Sequence, residues 1–334
     1  MWWWLGAGFL SASLPITRRA LVGSAIVSAA ALRMPAARGA ARRQLAYLAP
    51  DLGLRFWRIL AKGAEDEAAQ RHASVSVYDS SNDPVMQAQS ASEAIERKID
   101  GILVSPTDSA AAPQVLEAAA EAGVPVVIAD IGTSRGEYVS FISSDNFHGA
   151  YGVGQVLARA IQKRGFEHCT VGVVAISLAR NNGQERTNGF MKAMEEAGIG
   201  QAELAEMERY TAAETYNFVR DMVNAHPDMH GVFVETDQAS LGALRALRMM
   251  GRQRSILVAA FDGIPDFVSL IADGVMVGSG MQQPYLMGQL AARAMLDYLD
   301  GKTPERQITV PILVVTADNV RELEPIIRTT VFGG

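Results

Sequence analysis

Short apolar runs alternate with segments of helical period along most of this chain, and the stretch Gly231–Asp266 shows the unit most clearly. An apolar run, Gly231–Val234, ends in Glu235-Thr236-Asp237. Leu241, Leu244, Leu247 and Met250 follow at helical spacing and stop at Gly251, and a second apolar run, Ile256–Phe261, ends in Asp262-Gly263. Runs that are apolar at consecutive positions read as strands of a parallel sheet, and the ~12-residue amphipathic segment between them as the crossover helix. Polar residues cluster at the carboxyl ends of both strands, the edge where open parallel sheets bind ligands.

The same alternation predicts strands over Gln44–Leu48, Ser74–Tyr78, Gly101–Val104, Val124–Ala129 and Tyr138–Ile142. Helices fall between them over Phe56–Arg71, from Pro84 onward, and over Ala111–Ala122. The pattern then restarts with a helix over Phe147–Lys163, a strand over Val171–Ala175, a helix over Gln184–Ala197, a strand over Leu204–Tyr210 and a helix over Ala213–Ala225. A strand over Val275–Met281, a helix over Pro284–Leu299 and a strand over Ile308–Thr316, broken at Pro311, complete it. Two successive runs of this kind imply an α/β fold of two doubly wound parallel-sheet lobes, joined by several crossings. Asp237 reads as a helix N-cap, and the Leu241–Leu247 ladder with Met249-Met250 as core.

Residues 1–43 read as a signal peptide and linker outside the fold. Thr17-Arg18-Arg19 precedes an apolar, small-residue stretch, Ala20–Leu32, which leads to Pro35 and Ala37-Arg38-Gly39. Paired arginines, a short apolar region and a small-residue cleavage site, in that order, are the pattern of a twin-arginine export signal. The apolar stretch falls short of the ~20 residues that span a bilayer.

Several stretches, taken in order, resemble the ribose-type periplasmic sugar-binding proteins, the solute receptors of ABC importers. They are Phe56-Trp57 with Lys62-Gly63-Ala64, the run Asp100–Asp108, Gly123–Val127, and Ser144-Asp145-Asn146. Further along are Arg186 with Gly189-Phe190, Ala225-His226-Pro227-Asp228, Leu241–Leu247, and Phe261-Asp262-Gly263. The resemblance covers about residues 44–318. It implies a type I periplasmic binding protein, whose two lobes close around one ligand on a three-crossing hinge near Ser144, Gln282 and Val310. The lobes would be 44–144 plus 283–310 and 145–282 plus 311–328.

Carried over position by position, the resemblance places Phe56 and Trp57 as the aromatic pair of the first loop and Asp130 as the acid after the fourth strand. Arg186 is the arginine before the Gly-Phe pair, Asp262 the acid of the Phe-Asp-Gly triplet, Gln282 the glutamine at the second crossing, and Tyr210 an aromatic of the second lobe. Three departures alter the site: Ile131 stands where the ribose receptors have an arginine, and Leu54 and Thr236 where they have asparagines. The loss of these polar partners argues for a sugar or polyol other than ribose. Carboxylates accept two hydroxyl protons each, a guanidinium donates several bonds, an amide does both, and rings cover sugar C–H faces.

Composition narrows the alternatives. The net charge is −6 with no basic stripe, so a nucleic-acid surface is not expected. The single cysteine, Cys169, and five scattered histidines give no metal-ligand spacing, and no cofactor is expected. Catalytic motifs are missing: there is no G-x-S-x-G elbow and no P-loop, and Gly149, Gly152 and Gly154 lie within a predicted helix. A repressor sharing this architecture would need an N-terminal helix-turn-helix where this chain has an export signal. The expected protein is a periplasmic monomer, not an enzyme, that hands a small sugar or polyol to an inner-membrane permease. Two alternatives stay open at this stage. One is a receptor that signals to a membrane sensor; the other is a binder of a cationic amine held by Asp130, Glu235, Asp262, Trp57 and Tyr210.

Overall fold

The computed structural model describes residues 42–166 and 169–334, so the export signal expected over 1–43 lies almost wholly outside the described residues. The first sheet is built from β1 (Gln44–Ala49), β2 (Ser74–Asp79), β3 (Gly101–Val104), β4 (Val126–Ala129) and β5 (Ser140–Ser144), connected by α1 (Arg55–Gln70), α2 (Pro84–Glu96) and α3 (Ala112–Glu121). Next come α4 (Asn146–Lys163), β6 (Thr170–Ala175), α5 (Asn181–Glu196), β7 (Gly200–Glu206), α6 (Ala212–Ala225), β8 (Met229–Val234), α7 (Asp237–Met249), β9 (Leu257–Phe261), α8 (Pro265–Ala272) and β10 (Gly278–Met281). The chain ends with α9 (Pro284–Leu299), β11 (Gln307–Val310), β12 (Leu313–Thr316), α10 (Val320–Ile326) and a π-helical turn over Ile327–Val331.

The two six-stranded sheets have the same layout, β11-β5-β4-β3-β1-β2 and β12-β10-β9-β8-β6-β7. Among the described residues, only the β10–β12 pair is antiparallel. Side chains alternate across each sheet, as strand geometry requires. From β1, Leu45, Tyr47 and Ala49 pack toward α1 and α9, while Ala46 and Leu48 pack toward α2 and α3. From β6, Val171, Val173 and Ala175 meet α4 and α5, and Val174 meets α6 and α7.

Helices sharing a face cross closely, and this explains glycines in the recurring stretches. A Cβ on Gly63 of α1 would stand 2.1 Å from the Tyr285 carbonyl of α9, and one on Gly189 of α5 would stand 2.1 Å from the Phe147 carbonyl of α4.

Three connections pass between the sheets: β5 to α4 at Ser144–Asp145, β10 to α9 at Gln282–Gln283, and β11 to β12 at Pro311–Ile312. They run side by side. The Asp145 amide donates to the Val310 carbonyl (3.3 Å), and Gln283 Nε2 to the Pro311 carbonyl (2.9 Å). Pro311 lacks an N–H to continue the β11 ladder, so the predicted single strand becomes two, one in each sheet. The C-terminal end adds another link. Phe332 packs on the second-lobe core, the Arg55 guanidinium lies 5.8 Å from its ring centre, and Gly333 borders Ile59 and Tyr285 of the first lobe.

Several elements differ from the sequence reading. β7 ends at Glu206, well before Tyr210, which sits in the loop before α6 at φ 56°. β5 is displaced to Ser140–Ser144 because β11 pairs with it in register as far as Ser144. α5 begins three residues early, and α8 and α10 were not foreseen. Met249, expected in the core, is 69% exposed because it is the last residue of α7 and faces outward.

Candidate functional site

The carboxyl ends of both sheets converge on one small cavity of about 90 Å³ between the lobes. All eight residues singled out from the sequence line it: Phe56, Trp57, Asp130, Arg186, Tyr210, Thr236, Asp262 and Gln282. Phe56 and Trp57 open α1 and meet edge to face, with ring centres 4.8 Å apart. Trp57, 4% exposed, is both cavity wall and first-lobe core.

Asp130, Tyr210 and Asp262 all have left-handed backbones, with φ of 68°, 56° and 60°. Non-glycine residues adopt this region at a cost, and such strain concentrates at functional sites. At the two aspartates it turns the side chain off the strand end while the backbone stays in the sheet. The Asp130 amide donates to the Ile142 carbonyl and the Asp262 amide to the Gly280 carbonyl, both at 2.8 Å.

Arg186, 2% exposed, is the hub of the second-lobe wall. Its Nε donates to Asn146 Oδ1 (2.9 Å), beside the first crossing. Its Nη1 donates to the Glu235 carbonyl (2.8 Å) and pairs with Asp262 Oδ2 (3.3 Å), and its guanidinium lies 4.2 Å from the Phe261 ring centre. Gln282 Nε2 donates to the other Asp262 oxygen at 2.6 Å. Asp262 is thereby held between a cation of α5 and an amide of the second crossing.

Sequence reasoning missed several cavity residues, among them Arg55, Arg58 and Gln238, and Arg180 and Asn182 at the start of α5. Asn182 Nδ2 donates to Asp130 Oδ2 at 3.0 Å. Arg180 lies over the Tyr210 ring at 5.4 Å, and the Tyr210 hydroxyl accepts from the Ser177 amide at 3.2 Å. A signal was present: the polar group Arg180-Asn181-Asn182 comes five residues after the apolar β6 run ends at Ala175.

Asp237 is not the expected cap. Thr236 holds the N-cap position without a side-chain cap bond, and Asp237 is the first residue of α7 and lines the cavity. Ile131, one of the departures, turns into the first-lobe core, whereas Leu54 lines the cavity. Glu235 is fully buried and lies behind the wall, accepting from Thr187 Oγ1 (2.6 Å) and the Ile176 amide (3.1 Å).

Burial dominates the electrostatics. It pushes Asp130 up to about 7, helped by the negative charge of Asp262 and opposed by Arg186 and Arg180. It likewise pushes Glu235 up to about 8, against the Thr187 hydrogen bond and Arg186, and Asp237 up to about 6, with repulsion from Asp262. Three buried acceptors have no hydrogen-bond partner among the described residues and belong to cavity-lining residues: Asp130 Oδ1, Asn182 Oδ1 and Gln282 Oε1. Buried polar atoms are ordinarily satisfied, so this trio calls for donors from elsewhere.

The periplasmic binding protein domain profile matches residues 45–303. The ribose import binding protein of Bacillus subtilis is 32% identical over 262 residues, spanning 78% of this chain and 83% of that protein. Its Escherichia coli counterpart is 30% identical over 297 residues, 87% of this chain and 96% of that one. The crystal structure of an ABC transporter periplasmic solute binding protein from Actinobacillus succinogenes, with bound D-allose, has a TM-score of 0.78 at 23% identity, covering 84% of this chain and all of that one. The chain therefore belongs to the periplasmic binding protein family.

Proposed function

We propose that this protein captures one small, neutral, hydroxyl-rich molecule, a monosaccharide or polyol, between its lobes and delivers it to the permease of an ABC importer. The observation that carries the reading is the trio of acceptors without a partner among the described residues, Asp130 Oδ1, Asn182 Oδ1 and Gln282 Oε1, on residues that line a cavity walled by Phe56, Trp57 and Tyr210. Hydroxyls satisfy such acceptors, and the rings cover the apolar faces of the same ligand. Relatives that act in ribose import support the transport role.

In this account residues 44–144 with 283–310 and residues 145–282 with 311–328 move as two bodies on the three crossings. The protein acts as a monomer in the periplasm, exported through the twin-arginine pattern at Arg18-Arg19. A cationic amine suits the cavity less well. Arg55, Arg58, Arg180 and Arg186 already place four cations along it, Asp262 is paired with one of them, and Glu235 lies outside it.

A thermal-shift screen of the purified protein tests the reading, because a ligand that binds only the folded form raises its melting temperature. The probes are pentoses, hexoses, polyols, sugar acids and methylamines. A neutral polyhydroxylated compound is expected to give the largest shift, and a larger shift with an amine or a sugar acid would replace it.

A further inference from the structure

Three consecutive residues at the start of α5 reach across the cleft. Arg180 Nε donates to the Thr107 carbonyl (3.0 Å), and its Nη2 donates to Asn82 Oδ1 (2.7 Å). The Asn181 amide donates to Ser109 Oγ (3.3 Å), and Asn182 Nδ2 donates to Asp130 Oδ2 (3.0 Å). All the donors belong to the second lobe, and the acceptors sit in loops after β2, β3 and β4 of the first.

Both sides are built to hold this geometry. Gln87 brackets the receiving loop, donating to the Ser105 carbonyl (2.9 Å) and accepting from the Thr107 amide (3.0 Å). Asn82 has a left-handed backbone, and its amide donates to the Pro50 carbonyl at 2.6 Å. On the α5 side, a Cβ on Gly183 would stand 2.5 Å from the Ser177 carbonyl, so the first turn of the helix is pressed onto the loop that leads into it. Arg180 is 6% exposed, and its partners across the cleft are neutral oxygens. Hydrogen bonds weaken steeply with distance and angle, so a hinge opening of a few ångströms at this edge breaks all four together.

From this geometry we infer that Arg180-Asn181-Asn182 is the closure clasp of the cleft, with Arg180 as its positioning residue. It bonds to the opposite lobe only when the lobes are shut, holds Tyr210 against the cavity, and sets how long a captured ligand stays. The inference rests on the reading that the cleft closes on a ligand. Its test therefore has one arm that needs no ligand.

In the first arm, nitroxides at Glu96→Cys and Glu195→Cys, one exposed site on each lobe, report the interlobe distance by pulsed electron–electron resonance; the native Cys169 is buried. The ligand-free protein is expected to populate the short distance. Arg180→Ala should deplete that population and Arg180→Lys restore part of it. A ligand-free wild type without the short distance, or an Arg180→Ala protein that keeps it, overturns the clasp.

In the second arm, dissociation of D-ribose, D-allose or myo-inositol, whichever binds, is followed by fluorescence of Trp57, the one tryptophan after residue 4. Arg180→Ala and Asn82→Ala should each speed release, the former by about tenfold, as expected for a charge-assisted hydrogen bond. The double variant should release no faster than the faster single variant, and additive effects overturn the pairing. If no probe binds the wild type, the monosaccharide reading fails, while the distance result still decides the clasp.

Discussion

Replacing Arg186 by methionine keeps most of the side chain's volume but leaves Asp262 as a buried carboxylate without its cation. The pair is 3% and 10% exposed at its two side chains, so solvent screens it little. Removing one member of a buried pair costs about 3–5 kcal/mol, chiefly because the remaining charge stays desolvated. The Asn146 Oδ1 and Glu235 carbonyl acceptors lose their donor as well, but neighbouring losses do not add independently, so the pair sets the scale. At about 2–4 °C per kcal/mol for a chain of somewhat smaller size, the ligand-free melting temperature should fall by on the order of 10 °C. Combining Arg186→Met with Asp262→Asn removes the orphaned charge while keeping an acceptor for Gln282. Scanning calorimetry of the wild type, the two single variants and the double variant supplies the cycle. At least half of the Arg186→Met loss should be recovered in the double variant. A double variant destabilised by the sum of the singles would refute the argument that Arg186 exists to neutralise Asp262.

Other consequences follow from the same geometry. Asp130, Asp237 and Glu235 bind protons more readily in the folded protein than the ordinary value near ~4 allows. Between that value and their raised ones the folded state holds more protons than the unfolded, so stability from these groups falls as pH rises. The ligand-free melting temperature should therefore drop from pH 5 to pH 8, and Glu235→Gln should flatten the curve; an unchanged slope in that variant would remove Glu235 as a cause. Gly189→Ala drives a Cβ into the Phe147 carbonyl and should lower the melting temperature by several degrees, whereas alanine at exposed Gly198, where nothing lies within 4 Å, should cost less despite its φ of 70°. Deleting residues 327–334 removes the contacts of Phe332 and Gly333 with the first lobe and should lengthen the mean interlobe distance in solution scattering of the ligand-free protein.

The fold was legible because parallel strands, buried on both faces, leave continuous apolar runs that end abruptly in polar residues. The break at Pro311 was legible for a related reason: proline cannot continue a ladder. Residues at strand ends, such as Asp130 and Asp262, stood out for the same cause. What stayed hidden depends on contacts made far along the chain. Arg180 and Asn182 sit in a polar, glycine-containing stretch that reads locally as a loop, and their side-chain hydrogen bonds go to the opposite lobe. Asp237 has the composition of a cap, yet the extended backbone of Thr236 takes that role and leaves the carboxylate facing the cavity. The short α8 begins at Pro265, two residues after Gly263, so its few apolar positions gave too little period to separate it from a turn.

Whether the three cavity acceptors hold a hydroxyl-rich ligand is decided by a crystal structure with the compound that gives the largest thermal shift. The expected ligand is neutral, with hydroxyl oxygens about 2.5–3.0 Å from Asp130 Oδ1, Asn182 Oδ1 and Gln282 Oε1 and its apolar faces against Phe56, Trp57 or Tyr210. A ligand seated elsewhere, with those three acceptors bonded only to water, would contradict it.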